Sequence, residues 1–196
     1  MEEPQIGRRL AAILAADIAG YSRLMEENES ATVEALRAHQ AVVLPLIETH
    51  AGRIQDTAGD GILAEFRSVF EAVTCALAIQ RTMADRNAAE PPTRQMRYRI
   101  GIHLGDVVYD GARVYGEGVN LAARLEAVAE PGGVCVSEDA FRQIAERSMS
   151  NSSTSVNRAL RTSSARCERT APSWTRRPGP QGLPARCRCP TSRRSR

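Results

Sequence analysis

Hydrophobic and polar positions follow two different patterns along most of the chain, one typical of buried strands and one typical of amphipathic helices. An unbroken apolar run from Leu10 to Ala16 predicts a buried strand, and Asp17 stands at the point where this strand ends. From Ser30 to His50, apolar residues recur at the spacing of one helix face, with the serine as the expected N-cap. The chain is therefore predicted to begin with a buried strand that is followed by an amphipathic helix.

The next segments combine a predicted hairpin with further helices and strands. Residues 53–57 and 62–66 flank the turn sequence Ala58-Gly-Asp-Gly61, whose residues tolerate positive φ. Gly105 predicts a tight exit from the strand before it. The remaining predicted elements are a helix at 69–87, a strand at 98–103, a hairpin of 106–109 with 112–115, a helix at 116–129, a strand at 133–137 and a helix at 138–146.

This succession of elements predicts the fold class. Strands are interleaved with both helices and hairpins instead of following a strict βαβ order. An α+β sandwich is therefore favoured, in which helices pack on one face of an antiparallel-rich sheet. With 196 residues, of which 42% are hydrophobic, the chain can bury one sizeable core. We therefore expect one globular unit.

Composition divides the chain near Arg147. Up to that residue there are 15 arginines against 22 aspartates and glutamates, whereas residues 148–196 hold 11 arginines and one acidic residue, Glu168. Serine, threonine, arginine and proline dominate this second part, and its apolar residues have no period. We therefore predict a folded domain at 1–147 and a disordered tail at 148–196.

The basic tail also suggests another interpretation, an arm that binds nucleic acid or an acidic membrane. Trp174 is its only aromatic residue, and its arginines have no helical period, so this alternative is not favoured. Neither nucleic acid nor a membrane is therefore expected as a partner.

Two further features bear on the cellular compartment. The cysteines are most simply interpreted as free thiols of a reduced chain. The apolar run near the N-terminus is too short for a signal sequence or a membrane span. We therefore expect a cytoplasmic protein.

Two carboxylates are candidates for metal binding. Asp17 ends an apolar strand, where a carboxylate loses hydration and needs a metal, a cation or several donors. The following segment, Ile18-Ala-Gly-Tyr-Ser22, supplies a turn and a helix N-terminus whose free N–H groups suit phosphate oxygens. If the hairpin that carries Asp60 lies beside this strand, both carboxylates can clamp two divalent ions around a polyphosphate. The structural alternatives are that Asp17 caps the next helix and that Asp60 only forms its turn.

Asn120 and Arg124 are four residues apart on the predicted helix at 116–129, so they share one helix face. An amide beside a guanidinium can orient a ribose and neutralise charge that develops on a phosphoryl group. The alternative is a solvated Asn120 and a surface ion pair of Arg124 with Glu117 or Glu126. Spacing alone favours this alternative.

Three motifs, in this order, resemble those of the class III nucleotidyl cyclases. Ala16-Asp-Ile-Ala-Gly-Tyr-Ser22 resembles the first metal-binding motif of that family, and the segment from Gly52-Arg-Ile to Gly59-Asp-Gly61 resembles the second. Val119-Asn-Leu-Ala-Ala-Arg-Leu-Glu126 resembles the transition-state motif. The resemblance runs up to Arg147 and implies a ferredoxin-like nucleotidyl cyclase sandwich.

The resemblance also implies a reaction and its residues. Asp17 and Asp60, assisted by the Ile18 carbonyl, are expected to bind two Mg²⁺ or Mn²⁺ ions. Asn120 is expected to position the ribose, and Arg124 to stabilise the pentacovalent α-phosphate. ATP or GTP is converted to a 3′,5′-cyclic nucleotide and pyrophosphate, and sites shared between subunits imply a homodimer. The residues expected to bind the nucleotide are Ala19, Gly20, Tyr21, Ser22, Asp56 and Arg113.

The chain departs from adenylate-specific members of the family at two positions. Their lysine and aspartate, which contact the adenine, align with Asp56 and Arg113, so the two charges are exchanged. A carboxylate near the base can suit a guanine edge, and the preference for ATP or GTP stays open. The other alternative is that neither side chain touches the base.

The C-terminal part is the second departure. The family continues past Arg147 with strands that complete the sheet and bring a triphosphate-binding lysine, whereas we expect this chain to lack those C-terminal strands, and it contains no lysine. A neighbouring reading frame of the tail permits strings that resemble those strands, so we expect a frameshift close to Arg147. Two functions are therefore open, an active cyclase and a non-catalytic cyclase-like module that binds nucleotide or a partner subunit.

Overall fold

Strands and helices follow one another much as the sequence patterns predict. The computed structural model describes residues 7–110 and 113–150. In chain order, the elements are β1 (Gly7–Ile18), α1 (Tyr21–Glu27), α2 (Glu29–Thr49), β2 (Arg53–Asp56), β3 (Ile62–Phe66), α3 (Val69–Asn87), β4 (Tyr98–Asp110), β5 (Arg113–Tyr115), α4 (Glu117–Val128), β6 (Val134–Val136) and α5 (Glu138–Ser150).

The described strands form one sheet in the order β2-β3-β1-β4-β5, and β6 pairs with β4 outside this path. β1 and β4 are its longest strands, and they pair from Gly7 opposite Tyr109 to Ile18 opposite Tyr98. β6 runs parallel to β4, whereas the other pairings among the described strands are antiparallel. The predicted α+β fold with an antiparallel-rich sheet is therefore confirmed.

The two faces of β1 enter two separate cores, because successive side chains of a strand point to opposite sides. Leu14 and its even-numbered neighbours pack with apolar side chains of α2, α3 and α5. Ile13 and its odd-numbered neighbours lie in a smaller core with Ala122 of α4. The expectation of helices on one face holds for α2, α3 and α5, but α4 covers the opposite face, which we call the α4 face.

Gly101 allows α4 to lie directly against β4. A Cβ atom on Gly101 would lie 2.2 Å from the carbonyl oxygen of Ala122 and 2.2 Å from the amide nitrogen of Glu126, both in the backbone of α4. Any larger residue would push the helix away from the sheet, because backbone atoms cannot move aside as a flexible side chain can. Because of this close approach, Glu126 lies next to the face of the sheet that α4 covers.

Two local predictions are wrong. The N-cap of α2 is Asn28, whose side chain accepts a hydrogen bond from a backbone amide one turn later at 3.1 Å, and not Ser30. Gly105 does not end its strand, because β4 continues through it in an unbroken ladder with β1. The predicted hairpin after it is confirmed, with Val108 opposite Tyr115.

The predicted boundary at Arg147 falls within α5, which extends to Ser150. From residue 151 onward, the predicted tail lies outside the described residues, and so do its predicted disorder and frameshift. Within the described part of the chain, no helix is both long enough and apolar enough to cross a membrane.

Candidate functional site

Asp17 and Arg99 form a bidentate ion pair at the end of β1. They stand opposite each other in the antiparallel pairing of β1 with β4, so both side chains point to the α4 face. Arg99 Nε donates to Asp17 Oδ1 at 2.9 Å, and Arg99 Nη2 donates to Asp17 Oδ2. This hydrogen bonding is the largest cause that raises the pKa of Arg99. The guanidinium thus supplies the counter-charge that a carboxylate at the end of an apolar strand requires.

Asp60 lies beside the same strand end. Its Oδ2 accepts a hydrogen bond from the N–H of Ile18 at 3.0 Å, although the two residues are 42 positions apart. Gly59 shapes the turn with a φ of 62°, which glycine adopts readily, and Gln40 donates to the Gly59 carbonyl oxygen at 3.1 Å. Asp60 therefore does more than form its turn, and its carboxylate reaches the residue that follows Asp17.

The segment 18–22 turns from β1 into α1. Ala19 donates its N–H to a backbone carbonyl at 2.9 Å. Gly20 is the N-cap of α1, with a φ of 73° and no side-chain cap bond. Asp17 does not cap this helix, so that alternative is wrong. Ser22 is exposed in the first turn of α1, and the predicted contacts of this segment with a nucleotide stay predictions.

Glu126 is a third carboxylate at this site. Its Oε1 lies 3.3 Å from Arg99 Nη2, and this oxygen is buried without a hydrogen bond in the described part of the chain. Burial is the main cause that raises the pKa of Glu126 to about 7, and the adjacent carboxylate of Asp17 adds to the shift. One guanidinium thus faces two carboxylates, and Asp60 lies close by.

Arg99 and Glu126 are site residues that the sequence patterns did not reveal. A signal existed for each of them. Arg99 is a charged residue between the apolar positions Tyr98 and Ile100 of a predicted strand, so it had to point to the opposite face. Glu126 follows the buried Ala122 by one helical turn, and residues at that spacing share a helix face.

Asn120 and Arg124 lie on the outer side of α4. Both are exposed, whereas Ala122 and Glu126 lie on the side of the helix that meets the sheet. Neither Glu117 nor Glu126 forms an ion pair with Arg124 among the described residues, so the predicted surface pair is wrong. Within one chain, Glu126 meets Asp17 and the Asn120–Arg124 pair points away from it.

The two positions with exchanged charges lie on different strands. Asp56 is exposed at the end of β2, next to a register shift in its pairing with β3. Arg113 begins β5, and its backbone stands opposite Asp110. β2 and β5 come into contact although they stand at opposite ends of the strand order. The strands that carry Asp56 and Arg113 are therefore neighbours, and their contact with a base stays a prediction.

The donor atoms at the strand end have the chemistry that Mg²⁺ and Mn²⁺ require. Carboxylate and carbonyl oxygens are the preferred ligands of such hard cations, and Asp17, Asp60 and Ile18 carry them; Asp60 is hydrogen-bonded to the N–H of the residue that follows Asp17. In the described part of the chain, no group of three or more His, Cys, Asp or Glu side chains is arranged to hold a metal ion. Arg99 covers the oxygens of Asp17, so the residues fit a cation once that ion pair opens.

Sequence comparison relates the chain to a known family. The family described as "Adenylate and Guanylate cyclase catalytic domain" matches residues 8–164. Putative adenylate cyclase 3 of Rhizobium meliloti is 49% identical over 139 residues, which cover 70% of this chain and 24% of that protein. An adenylate cyclase of Streptomyces coelicolor is 34% identical over 139 residues, which cover 69% of this chain and 34% of that protein. The chain therefore spans well under half the length of these relatives.

Solved structures share the fold. An adenylate/guanylate cyclase/hydrolase from Silicibacter pomeroyi superimposes with a TM-score of 0.69 at 44% identity, covering 73% of this chain and 84% of that one. The adenylyl cyclase CyaB from P. aeruginosa has a TM-score of 0.65 at 23% identity, covering 72% of this chain and 83% of that one. The second comparison bears on the fold alone.

Proposed function

The chain belongs to the family of adenylate and guanylate cyclase catalytic domains, and we propose that it is a nucleotidyl cyclase. It converts ATP or GTP to a 3′,5′-cyclic nucleotide and pyrophosphate. The observation that supports this most directly is the hydrogen bond from the N–H of Ile18 to Asp60. Because of this hydrogen bond, the carboxylate of Asp60 lies beside the strand end that carries Asp17.

The mechanism assigns a role to each group at the site. Asp17, Asp60 and the carbonyl of Ile18 would hold the divalent cations. When bound, these cations lower the pKa of the 3′-hydroxyl and offset the charge of the leaving pyrophosphate. Asn120 would orient the ribose, and the N–H donors of Arg124 would stabilise charge on the α-phosphate.

Two subunits would be needed for a complete site. Asn120 and Arg124 are exposed on the outer side of α4, whereas Glu126 lies beside Arg99, and this supports a site in which they serve the cations of another subunit. A homodimer in which each α4 faces the strand end of the other subunit would bring both sets of residues to one nucleotide.

The activity is tested by incubating the full chain with Mn²⁺ and either ATP or GTP, and measuring cyclic nucleotide by chromatography. Wild-type protein is expected to form product from at least one nucleotide. Asp17→Asn and Arg124→Ala are each expected to lower the rate by about a hundred-fold or more. Full activity of Asp17→Asn would overturn the assignment of Asp17 as a cation ligand.

Mixing the two inactive variants tests whether the site is shared. A heterodimer of Asp17→Asn with Arg124→Ala contains one site in which both residues are intact and one site that lacks both. Equal mixing is therefore expected to restore about a quarter of wild-type activity, because half of the dimers carry one working site in two. No recovery after subunit exchange, demonstrated with differently tagged subunits, would contradict the shared site.

A second candidate function is a cyclase-like module that binds nucleotide without turnover. The contact that favours it is the ion pair of Arg99, which covers both oxygens of Asp17. Binding of a fluorescent ATP or GTP analogue, with no product in the assay above, would support this candidate.

A further inference from the structure

Arg99 holds the carboxylate oxygens that a divalent cation would use. Both oxygens of Asp17 accept hydrogen bonds from its guanidinium, which occupies the bidentate face of the carboxylate and repels a cation that approaches the remaining lone pairs. We propose that Arg99 competes with the divalent cation for Asp17, and that Glu126 receives Arg99 when the cation binds. This inference rests on the proposed function, because it takes Asp17 as a cation ligand.

The structure holds Arg99 firmly on Asp17. The pairing of β1 with β4 puts the two residues directly opposite each other, so the backbone brings the guanidinium to the carboxylate. The planar guanidinium matches the two oxygens in a bidentate arrangement, which is a strong form of ion pair. Arg99 Nη1 also donates to the carbonyl oxygen of Ala127 in α4 at 3.4 Å. Release of Asp17 therefore has a cost that the incoming cation must offset.

Glu126 is suited to receive the guanidinium. Its Oε1 already lies 3.3 Å from Arg99 Nη2, and that oxygen is buried without a hydrogen bond among the described residues. A buried carboxylate oxygen without a donor is unfavourable, so a closer contact with Arg99 would relieve this cost. The side chain of Glu126 is 14% exposed, compared with 25% for Asp17. The guanidinium would thus move from the more exposed carboxylate to the more buried one.

The charges at the strand end also favour this exchange. With Glu126 ionised, three carboxylates, those of Asp17, Asp60 and Glu126, act on the one guanidinium of Arg99. A divalent cation at Asp17 and Asp60 would repel a guanidinium that stayed on Asp17. Pairing with Glu126 keeps the charge of Arg99 neutralised and leaves the Asp17 oxygens to the cation. Arg99 is therefore a positioning residue for the cation site, and Glu126 acts through Arg99.

The first experiment measures cation affinity directly. Mn²⁺ binding to the full chain without nucleotide is followed by electron paramagnetic resonance of free Mn²⁺ at pH 8. Arg99→Gln removes the competing charge and is expected to bind Mn²⁺ at least about five-fold more tightly than wild type. Arg99→Lys keeps the charge but loses the bidentate contact, so its affinity is expected to lie between the two. Circular dichroism checks that each variant is folded.

A double-mutant cycle tests the role of Glu126. Removing the negative charge of Glu126 weakens Mn²⁺ binding whether or not Arg99 is present, because the cation loses a nearby attractive charge. The Glu126→Gln variant alone is therefore not sufficient. If Glu126 receives Arg99, Glu126→Gln should weaken binding at least about three-fold more in the presence of Arg99 than in the Arg99→Gln background. Additive effects of the two substitutions would overturn the transfer to Glu126.

Nuclear magnetic resonance of the wild-type protein tests the same exchange without substitutions. The Nε–H of Arg99 is hydrogen-bonded to Asp17 at 2.9 Å, so its resonance reports this contact. Titration with Mg²⁺, which is diamagnetic, is expected to shift the Arg99 resonance with the same midpoint as cation binding. A resonance that stays unchanged while Mg²⁺ saturates the site would refute the proposal even if a variant failed to fold.

The outcomes separate this inference from the proposed function. If Asp17→Asn weakens Mn²⁺ binding but Arg99→Gln does not strengthen it, the competition is refuted and the cation site stands. If Asp17→Asn leaves Mn²⁺ affinity unchanged, both the cation site and the competition are refuted. If Asp17→Asn weakens binding and Arg99→Gln strengthens it, both are supported.

Discussion

The carboxylate of Asp60 accepts a hydrogen bond from the backbone N–H of Ile18 at 3.0 Å. An asparagine oxygen at position 60 can accept the same hydrogen bond but carries no charge for a cation. Asp60→Asn is therefore expected to change the free energy of unfolding by less than about 1 kcal/mol, while cyclase activity falls by about a hundred-fold or more. Chemical denaturation and the cyclic-nucleotide assay measure the two effects.

Asp85→Asn is the matched control for this substitution. Asp85 is exposed on α3, and its carboxylate forms no hydrogen bond or ion pair among the described residues, so the same loss of charge should leave both stability and activity near wild type. A large loss of stability in Asp60→Asn would mean that the charge of Asp60 supports the fold, and the loss of activity would then not identify a cation ligand.

The close approach of α4 to the sheet predicts an intolerant glycine. Gly101→Ala would put its Cβ atom 2.2 Å from backbone atoms of α4, and we expect a loss of about 3 kcal/mol in the free energy of unfolding. Gly7→Ala is the control, because a Cβ atom at Gly7 meets nothing within 4 Å. Urea denaturation of both variants measures the difference. Equal stability of the two would contradict the packing of α4 on β4.

The exchanged charges of Asp56 and Arg113 predict a change in nucleotide preference. Combining Asp56→Lys with Arg113→Asp restores the pattern that adenylate-specific members carry at these positions. We expect the ratio of kcat/KM for ATP to kcat/KM for GTP to rise by about ten-fold or more. Each single variant is expected to lose activity with both nucleotides, because it leaves two like charges near the base. An unchanged ratio in the double variant would mean that neither side chain contacts the base.

His39 predicts a loss of stability in acid. Burial is the main cause that lowers the pKa of His39 below its ordinary value of 6.5; Arg86 lowers it further, and Glu90 acts in the opposite direction. The ring also faces the aromatic ring of Tyr98, whose centroid is 6.5 Å away. The unfolded chain therefore binds the proton more readily than the folded chain, and stability falls as the pH drops through 6.5.

The substitution His39→Phe tests this pH dependence, because phenylalanine keeps an aromatic ring but binds no proton. The difference in free energy of unfolding between pH 8 and pH 5.5 is expected to be smaller in the variant than in wild type. His103 keeps its own acid sensitivity, because burial lowers its pKa as well, so the dependence should become weaker without vanishing. Identical pH profiles for variant and wild type would contradict the prediction.

Local patterns predicted most of the elements and part of the site. The apolar run before Asp17 and the turn glycines beside Asp60 were sufficient to identify a strand end and a hairpin, since both signals depend on neighbouring residues. The N-cap of α2 was misassigned because Asn28 and Ser30 are both good capping residues, and only the chain geometry distinguishes them.

Placement of elements in space was harder to predict. Nothing in the spacing of α4 indicated which face of the sheet it would cover, because an amphipathic helix packs equally well on either apolar face. The close contact at Gly101 and the smaller core around Ile13 determine which face α4 covers. Arg99 and Glu126 were missed for the same reason, because they become site residues only when β4 and α4 meet the end of β1.

The sequence by itself determined which segments form strands and helices, and which carboxylates stand at their ends, since periodicity and turn chemistry act over a few residues. Only the tertiary structure decided that Arg99 and Glu126 meet Asp17, and that Arg124 points away from it. Strand register and helix docking arise from contacts between residues far apart in the chain, and the sum of those contacts is not visible in any local pattern.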